Sequence, residues 1–172
     1  MPTLNHNVET LFWLRDIVEK GAEWFARQGQ NGARGLRSWS VSGRVRKPGV
    51  KIAPAGITLR DLIDNHCGGM ADGHELAGYL PGGASGGMLP AALANLPLDF
   101  GTLDAYGCFV GSHAVVVFSE KDDPRAIARN LMNFFVHESC GQCTPCRAGT
   151  EKLLGLMQAE EWDAELMGEI EQ

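Results

Sequence analysis

The chain has 172 residues, a net charge of −6, and 44% hydrophobic against 21% charged residues. That length suffices for one domain with a real core or for two small ones. The acidic balance leaves no basic stripe to neutralise phosphates and argues against a nucleic-acid partner, and apolar runs such as AVVVF at 114–118 are far too short for direct membrane insertion.

The first ten residues, MPTLNHNVET, are polar and carry no signal pattern, and five cysteines with three clustered do not make a secreted disulfide framework. The chain therefore reads as cytoplasmic. Asn7 is an N-cap with Glu9 in the first turn, and Val8, Leu11, Phe12, Val18, Ala22 and Phe25 mark an apolar helical face weakened at Gly21. GQNGARG at 29–35 reads as a linker, so residues 1–35 are expected to be an N-terminal helix and its tail.

Alternation then takes over. Trp39, Val41 and Val45 predict a strand, Lys47-Pro48-Gly49 a turn, and Val50, Ile52 and Ala53 the returning strand of a hairpin. Thr58 caps a short helix carrying Leu59, Leu62 and Ile63, which Gly68-Gly69 end. Leu76–Leu80 is a third strand. PGGASGGMLP at 81–90 fits an ordered loop beside a strand or a flexible one, Leu98-Asp99-Phe100 enters a short helix or turn, and Ala114–Phe118 is a buried β-branched strand. This order predicts an α+β fold: a β-grasp-like domain over 36–120 with a core of Trp39, Val41, Val45, Ile52, Leu62, Leu76, Val115 and Val117.

Residues 121–172 are expected to be helical. Asp123-Pro124 gives an N-cap and first position, and Ile127, Leu131, Phe134 and Phe135 form the apolar stripe. Thr144-Pro145 repeats the start signal ahead of Leu153, Leu154, Leu156 and Met157, and Trp162, Leu166 and Ile170 belong to one more helix.

Between the first two of these helices lies Cys140-x2-Cys143-x2-Cys146. Soft thiolates at this spacing favour an iron–sulfur cluster or zinc. Zinc normally recruits a second pair or a Cys/His mixture, so a zinc site would need His137 or a distant residue. Three unliganded thiols are the remaining reading. Cys146 in a first helical turn, Arg147 beside it and Gly141 in the loop all suit an anionic cluster. Cys67 and Cys108 read as core residues, and His66, His74 and His113 as surface or loop residues. No constellation supplies a catalytic acid, base or nucleophile.

HESCGQCTPCRAGT resembles the iron–sulfur motif of the flavoprotein (51 kDa-type) subunit of NADH dehydrogenases and of related diaphorase subunits. NHNVETL, SVSGRVRKPGV and LPGGASGGMLP carry the resemblance along nearly the whole chain. FFVHESCGQCTPCRAGT looks closest to the beta subunit of NAD-dependent formate dehydrogenase. The resemblance implies a soluble-ligand-binding β-grasp domain followed by a helical domain with a [4Fe–4S] cluster, in a subunit that relays electrons between NADH, FMN and iron–sulfur centres. It implies Cys140, Cys143 and Cys146 as metal ligands, and His6, Asn7 and Thr10 as the edge of the flavin site. Its implied partners are other subunits of a multi-subunit NAD-linked dehydrogenase.

Two departures qualify it. The family's glycine-rich flavin and nucleotide loops have no match, so FMN and NAD belong to the intact family subunit and this chain is expected to be inactive alone. The family's fourth cluster cysteine lies well beyond the triple, yet no cysteine follows Cys146. The expectation is a truncated relative whose cluster is absent or substoichiometric as isolated, and a cofactor-free docking module is the competing reading. The Leu80–Pro90 segment reads as interface, not as a ligand loop.

Overall fold

The computed structural model describes residues 3–171, with side chains through Glu169; the expectation for the Ile170 side chain falls outside them. The chain divides into two compact units at Lys121/Asp122.

The first unit opens with helices α1 (Val8–Lys20) and α2 (Ala22–Ala26). The Asn7 side chain accepts from the Glu9 amide, as a cap should. The continuous helix expected here breaks at Gly21, whose φ of 90° is outside helical space. The expected apolar face is also uncovered: Val8 is 80% exposed and Phe12 65%.

A five-stranded mixed sheet follows, from β1 (Leu36–Gly43), β2 (Gly49–Pro54), β3 (Leu76–Leu80), β4 (Leu89–Pro90) and β5 (Ala114–Ser119). Its order is β2-β1-β5-β3-β4. β1 pairs antiparallel with β2 and parallel with β5, and β3 is antiparallel to both β4 and β5.

The hairpin exists, but Lys47-Pro48-Gly49 is not its tight turn. Val41 pairs with Gly49, and the intervening residues detour to hydrogen-bond Val117, Gly69 and Cys67 carbonyls. Val45 leaves β1 and bridges Met70, although it stays buried.

One face of the sheet buries Trp39, Val41, Ala53, Tyr79, Val115 and Val117 against Leu59, Leu62, Leu98 and Leu103. Ile52 is a correction to the expected core. It is 53% exposed, because the period-2 register that turns Ala53 inward turns Val50 and Ile52 outward. Leu76, at the end of β3, is only half-buried.

Thr58 caps α3 (Leu59–Asp61) by accepting from the Asp61 amide, and the chain continues in one wide π turn over Leu62–His66. Both glycine-rich stretches are pinned. Gln30 N donates to Ala55 O at 2.9 Å and Asn31 Nδ2 to Gly56 O at 2.8 Å, so 29–35 is stitched to the end of β2 instead of acting as a loose linker. In the second stretch a Cβ on Gly82 would lie 2.2 Å from Gly111 N. This close backbone packing selects the ordered form of that loop.

The second unit holds α4 (Pro124–Glu138), α5 (Thr144–Leu156) and α6 (Ala164–Glu171). Asp123 caps α4 through the Arg125 amide, with Pro124 in the first turn. Ile127, Leu131 and Phe135 are half-buried, but Phe134 is 48% exposed and stands outside the stripe. Leu153, Leu154 and Leu156 are half-buried and Met157 is buried; Trp162 donates from Nε1 to Met157 O at 3.1 Å and carries the Arg125 guanidinium over its ring. Among the described residues no helix is long and apolar enough to cross a membrane.

Candidate functional site

The three clustered cysteines lie on the turn between α4 and α5. Ser139 ends α4 in extended backbone, and Gly141 takes a φ of 76° that a glycine accommodates without Cβ strain. The N-cap of α5 is Cys143, one residue before the expected Thr144, which puts Pro145 in the first turn and Cys146 three residues past the cap. Cys140, Cys143 and Cys146 are all exposed free thiols.

Hydrogen bonds organise the turn. Ser139 Oγ lies 3.6 Å from Cys146 Sγ and accepts from the Gly141 amide at 3.3 Å. The Arg147 guanidinium donates to Gly141 O. Thr150 Oγ1 donates to Cys146 O at 2.7 Å.

This donor set fits a soft metal centre on chemical grounds: three accessible thiols, two of them at a helix N-terminus where the dipole favours anionic sulfur, with a cation beside them. Among the described residues, however, no group of three or more His, Cys, Asp or Glu side chains converges at metal-binding distance. His137, in the last turn of α4, is exposed and joins no such group.

Cys67 and Cys108 sit apart from this turn, in the core of the first unit. Burial pushes both thiols above their ordinary range, with the Lys51 charge acting against this at Cys67 and a backbone hydrogen bond with Met88 at Cys108. Buried, protonated thiols of this kind are poor ligands and poor nucleophiles.

A second feature is a cleft of about 700 Å3 in the first unit, lined among others by Asn7, Thr10, Arg34, Arg37, Ser112 and His113. It brings together two of the three residues singled out at the N-terminus. His6 does not line it; its Nδ1 instead accepts from the Asn7 amide at 2.8 Å.

Part of the cleft wall is a polar cluster that the sequence pattern missed. Arg37 pairs with Asp99 at 2.9 Å, approaches His113 Nε2 at 3.1 Å and stacks 4.4 Å from the Phe100 ring centre. His113 also meets Trp39 edge-on at 4.9 Å and holds a φ of 55°. The residues are 37, 99, 100 and 113, so no local spacing could have joined them.

Burial holds the His113 imidazole below its ordinary value and Arg37 lowers it further, against the raising fields of Glu9 and Asp99. The folded form thus binds the His113 proton less readily than the unfolded chain. Its contribution to stability is complete above the unfolded value, about 6.5, and is lost as pH falls below it. The urea midpoint of the chain should drop between about pH 7 and pH 5, and His113→Asn, which tolerates the left-handed backbone, should flatten that drop. An unchanged slope in the variant would place the proton uptake elsewhere.

Comparison with known proteins adds two matched regions. Residues 126–172 match the NADH-ubiquinone oxidoreductase-F iron-sulfur binding region, and residues 40–89 match the SLBB domain. The chain is 39% identical over 174 residues to the F 2 subunit of NADH-quinone oxidoreductase from Rhizobium meliloti, covering 99% of this chain and 41% of that protein. It is 40% identical to the F subunit of the same enzyme from Mycobacterium bovis, covering 87% of this chain and 33% of that one.

A crystal structure of an NAD+-reducing [NiFe]-hydrogenase in the H2-reduced state superposes with a TM-score of 0.81 at 32% identity, over 98% of this chain and 29% of that one. The chain thus spans less than half the length of these relatives. Along nearly its whole length the chain is thus similar to the C-terminal SLBB and 4Fe–4S region of the F-subunit (51 kDa-type) family of NADH-quinone oxidoreductases.

Proposed function

We propose that this chain is the electron-relay part of a diaphorase-type subunit in an NADH-linked oxidoreductase, and that Cys140, Cys143 and Cys146 hold three corners of a [4Fe–4S] cluster. The observation that carries the reading is the set of three free, exposed thiols on one turn, with Cys143 at the cap of α5 and Cys146 in its first turn. When bound, such a cluster accepts and releases single electrons. The chain's own part is to present the thiols, to keep Arg147 beside them and to supply the polar groups of the turn. The fourth corner is filled by a ligand from outside these three residues: solvent, a small thiol or a further side chain.

Within this reading His6, Asn7 and Thr10 form the edge of a flavin site whose FMN and NAD are held mainly by other parts of a longer subunit. The uncovered Val8 and Phe12 suit packing against such a part. The proposed division is an N-terminal helix and tail over 1–35, a β-grasp soluble-ligand-binding domain over 36–120 and a helical iron–sulfur domain over 121–172. The partners are the other subunits of a cytoplasmic multi-subunit dehydrogenase. A formate dehydrogenase beta subunit, a complex I-type subunit and the diaphorase subunit of an NAD-reducing hydrogenase are the three forms it could take. The thiols that do not converge favour a second reading, a cofactor-free docking module.

Anaerobic reconstitution of the chain with iron, sulfide and a small thiol tests the first reading against the second. About four irons and matching acid-labile sulfide per chain, with broad absorbance near 400 nm, are expected. Iron at background level with the small thiol present would favour the docking module. In the same preparation, FMN titration should give no tight stoichiometric binding and dye reduction by NADH should be undetectable. Either activity would refute the assignment of FMN and NAD to other parts of the subunit.

A further inference from the structure

We propose that Ser139 is a positioning residue for the iron–sulfur site, its hydroxyl donating to Cys146 Sγ when that sulfur is a metal-bound thiolate. The inference rests on the cluster reading above. A hydroxyl has one proton to give and two lone pairs that accept. The Gly141 amide occupies one of those lone pairs at 3.3 Å, which leaves the O–H free for the sulfur 3.6 Å away. Between two neutral groups either atom could donate. A coordinated thiolate carries no proton, so the direction is fixed: serine gives and sulfur accepts.

The bond spans the turn. Ser139 ends α4 and Cys146 belongs to the first turn of α5, so one hydroxyl ties the end of one helix to the start of the next. Two neighbours steady it: Arg147 grips Gly141 O from the α5 side, and Thr150 holds the Cys146 carbonyl. A hydrogen bond to a ligating sulfur draws electron density from it and favours the more negative, reduced cluster. Ser139 should therefore raise the reduction potential as well as orient Cys146.

The experiment uses the reconstituted full chain and its Ser139→Ala and Ser139→Thr variants. Iron and sulfide analysis tests the cluster reading itself; potentiometric titration followed by electron paramagnetic resonance tests Ser139. Alanine should shift the one-electron equilibrium toward the oxidised form by about three- to tenfold, the scale of one lost hydrogen bond, and threonine should restore it. Resonance Raman should show an iron–cysteine sulfur band that shifts in D2O for the unmodified chain and not for Ser139→Ala. This measurement sees only loaded protein, so a variant with reduced iron still returns a result. An unchanged potential with unchanged bands in Ser139→Ala overturns the role. Absence of iron from the unmodified chain overturns the cluster reading and this role with it.

Discussion

Val115→Asp is expected to unfold the sheet unit, whereas Ile52→Asp is expected to leave it folded. Val115 is 0% exposed on β5, the strand between β1 and β3. A carboxyl placed there enters a core built of Trp39, Val41, Tyr79 and Val117, with no charged residue among them. Its desolvation costs several kcal/mol even if it stays protonated, roughly 4 kcal/mol or more. That is a large part of the margin of an ordinary domain, about 5–15 kcal/mol. Ile52 sits on the edge strand β2 with its side chain half in water, beside Val8, Phe12 and Trp13 of α1. An aspartate there should change stability by less than about 1 kcal/mol. Urea unfolding followed by tryptophan fluorescence and far-ultraviolet circular dichroism reads both. Equal losses in the two variants would contradict the register that turns Ala53 inward.

The largest effect on the proposed activity should come from the clustered thiols. Each of Cys140→Ala, Cys143→Ala and Cys146→Ala should reduce reconstituted iron from about four per chain to background, because a two-thiolate turn cannot retain the cluster against chelation. Cys67→Ala and Cys108→Ala should keep their iron. They should instead destabilise the sheet unit, since both side chains are packed in its core, at about 1–2 kcal/mol for a small buried side chain. The readouts are iron and sulfide per chain and, separately, the thermal midpoint. Full iron in any one of the first three variants removes that cysteine from the ligand set. Lost iron in Cys67→Ala or Cys108→Ala would mean that a buried thiol takes part after all.

Local rules carried much of the fold. Capping chemistry is written in short words, and Asn7, Thr58 and Asp123 each cap the helix they were expected to cap. Alternation located Trp39, Val41, Val115 and Val117 because a sheet with one buried face imposes a period of two. The cysteine spacing singled out one turn, and the structure places its three free thiols exposed between α4 and α5.

Other features depend on partners far away in sequence. The phase of β2 is set by its register with β1, so Ile52 and Ala53 could not be sorted from their own segment. The apolar face of α1 says that something covers it, not what, and within this unit it stays largely exposed. The polar cluster of Arg37, Asp99, Phe100 and His113 exists only because strand pairing, β1 with β5 above all, brings residues distant in sequence to one place. The sequence by itself determined the starts of α1, α3 and α4, the alternation of β1 and β5 and the thiol turn, since each is fixed by chemistry within a few residues. The tertiary structure alone decided which face of β2 is buried, which cleft Asn7 and Thr10 line and which hydroxyl meets Cys146, because side-chain environments arise from chain pairing that no local pattern encodes.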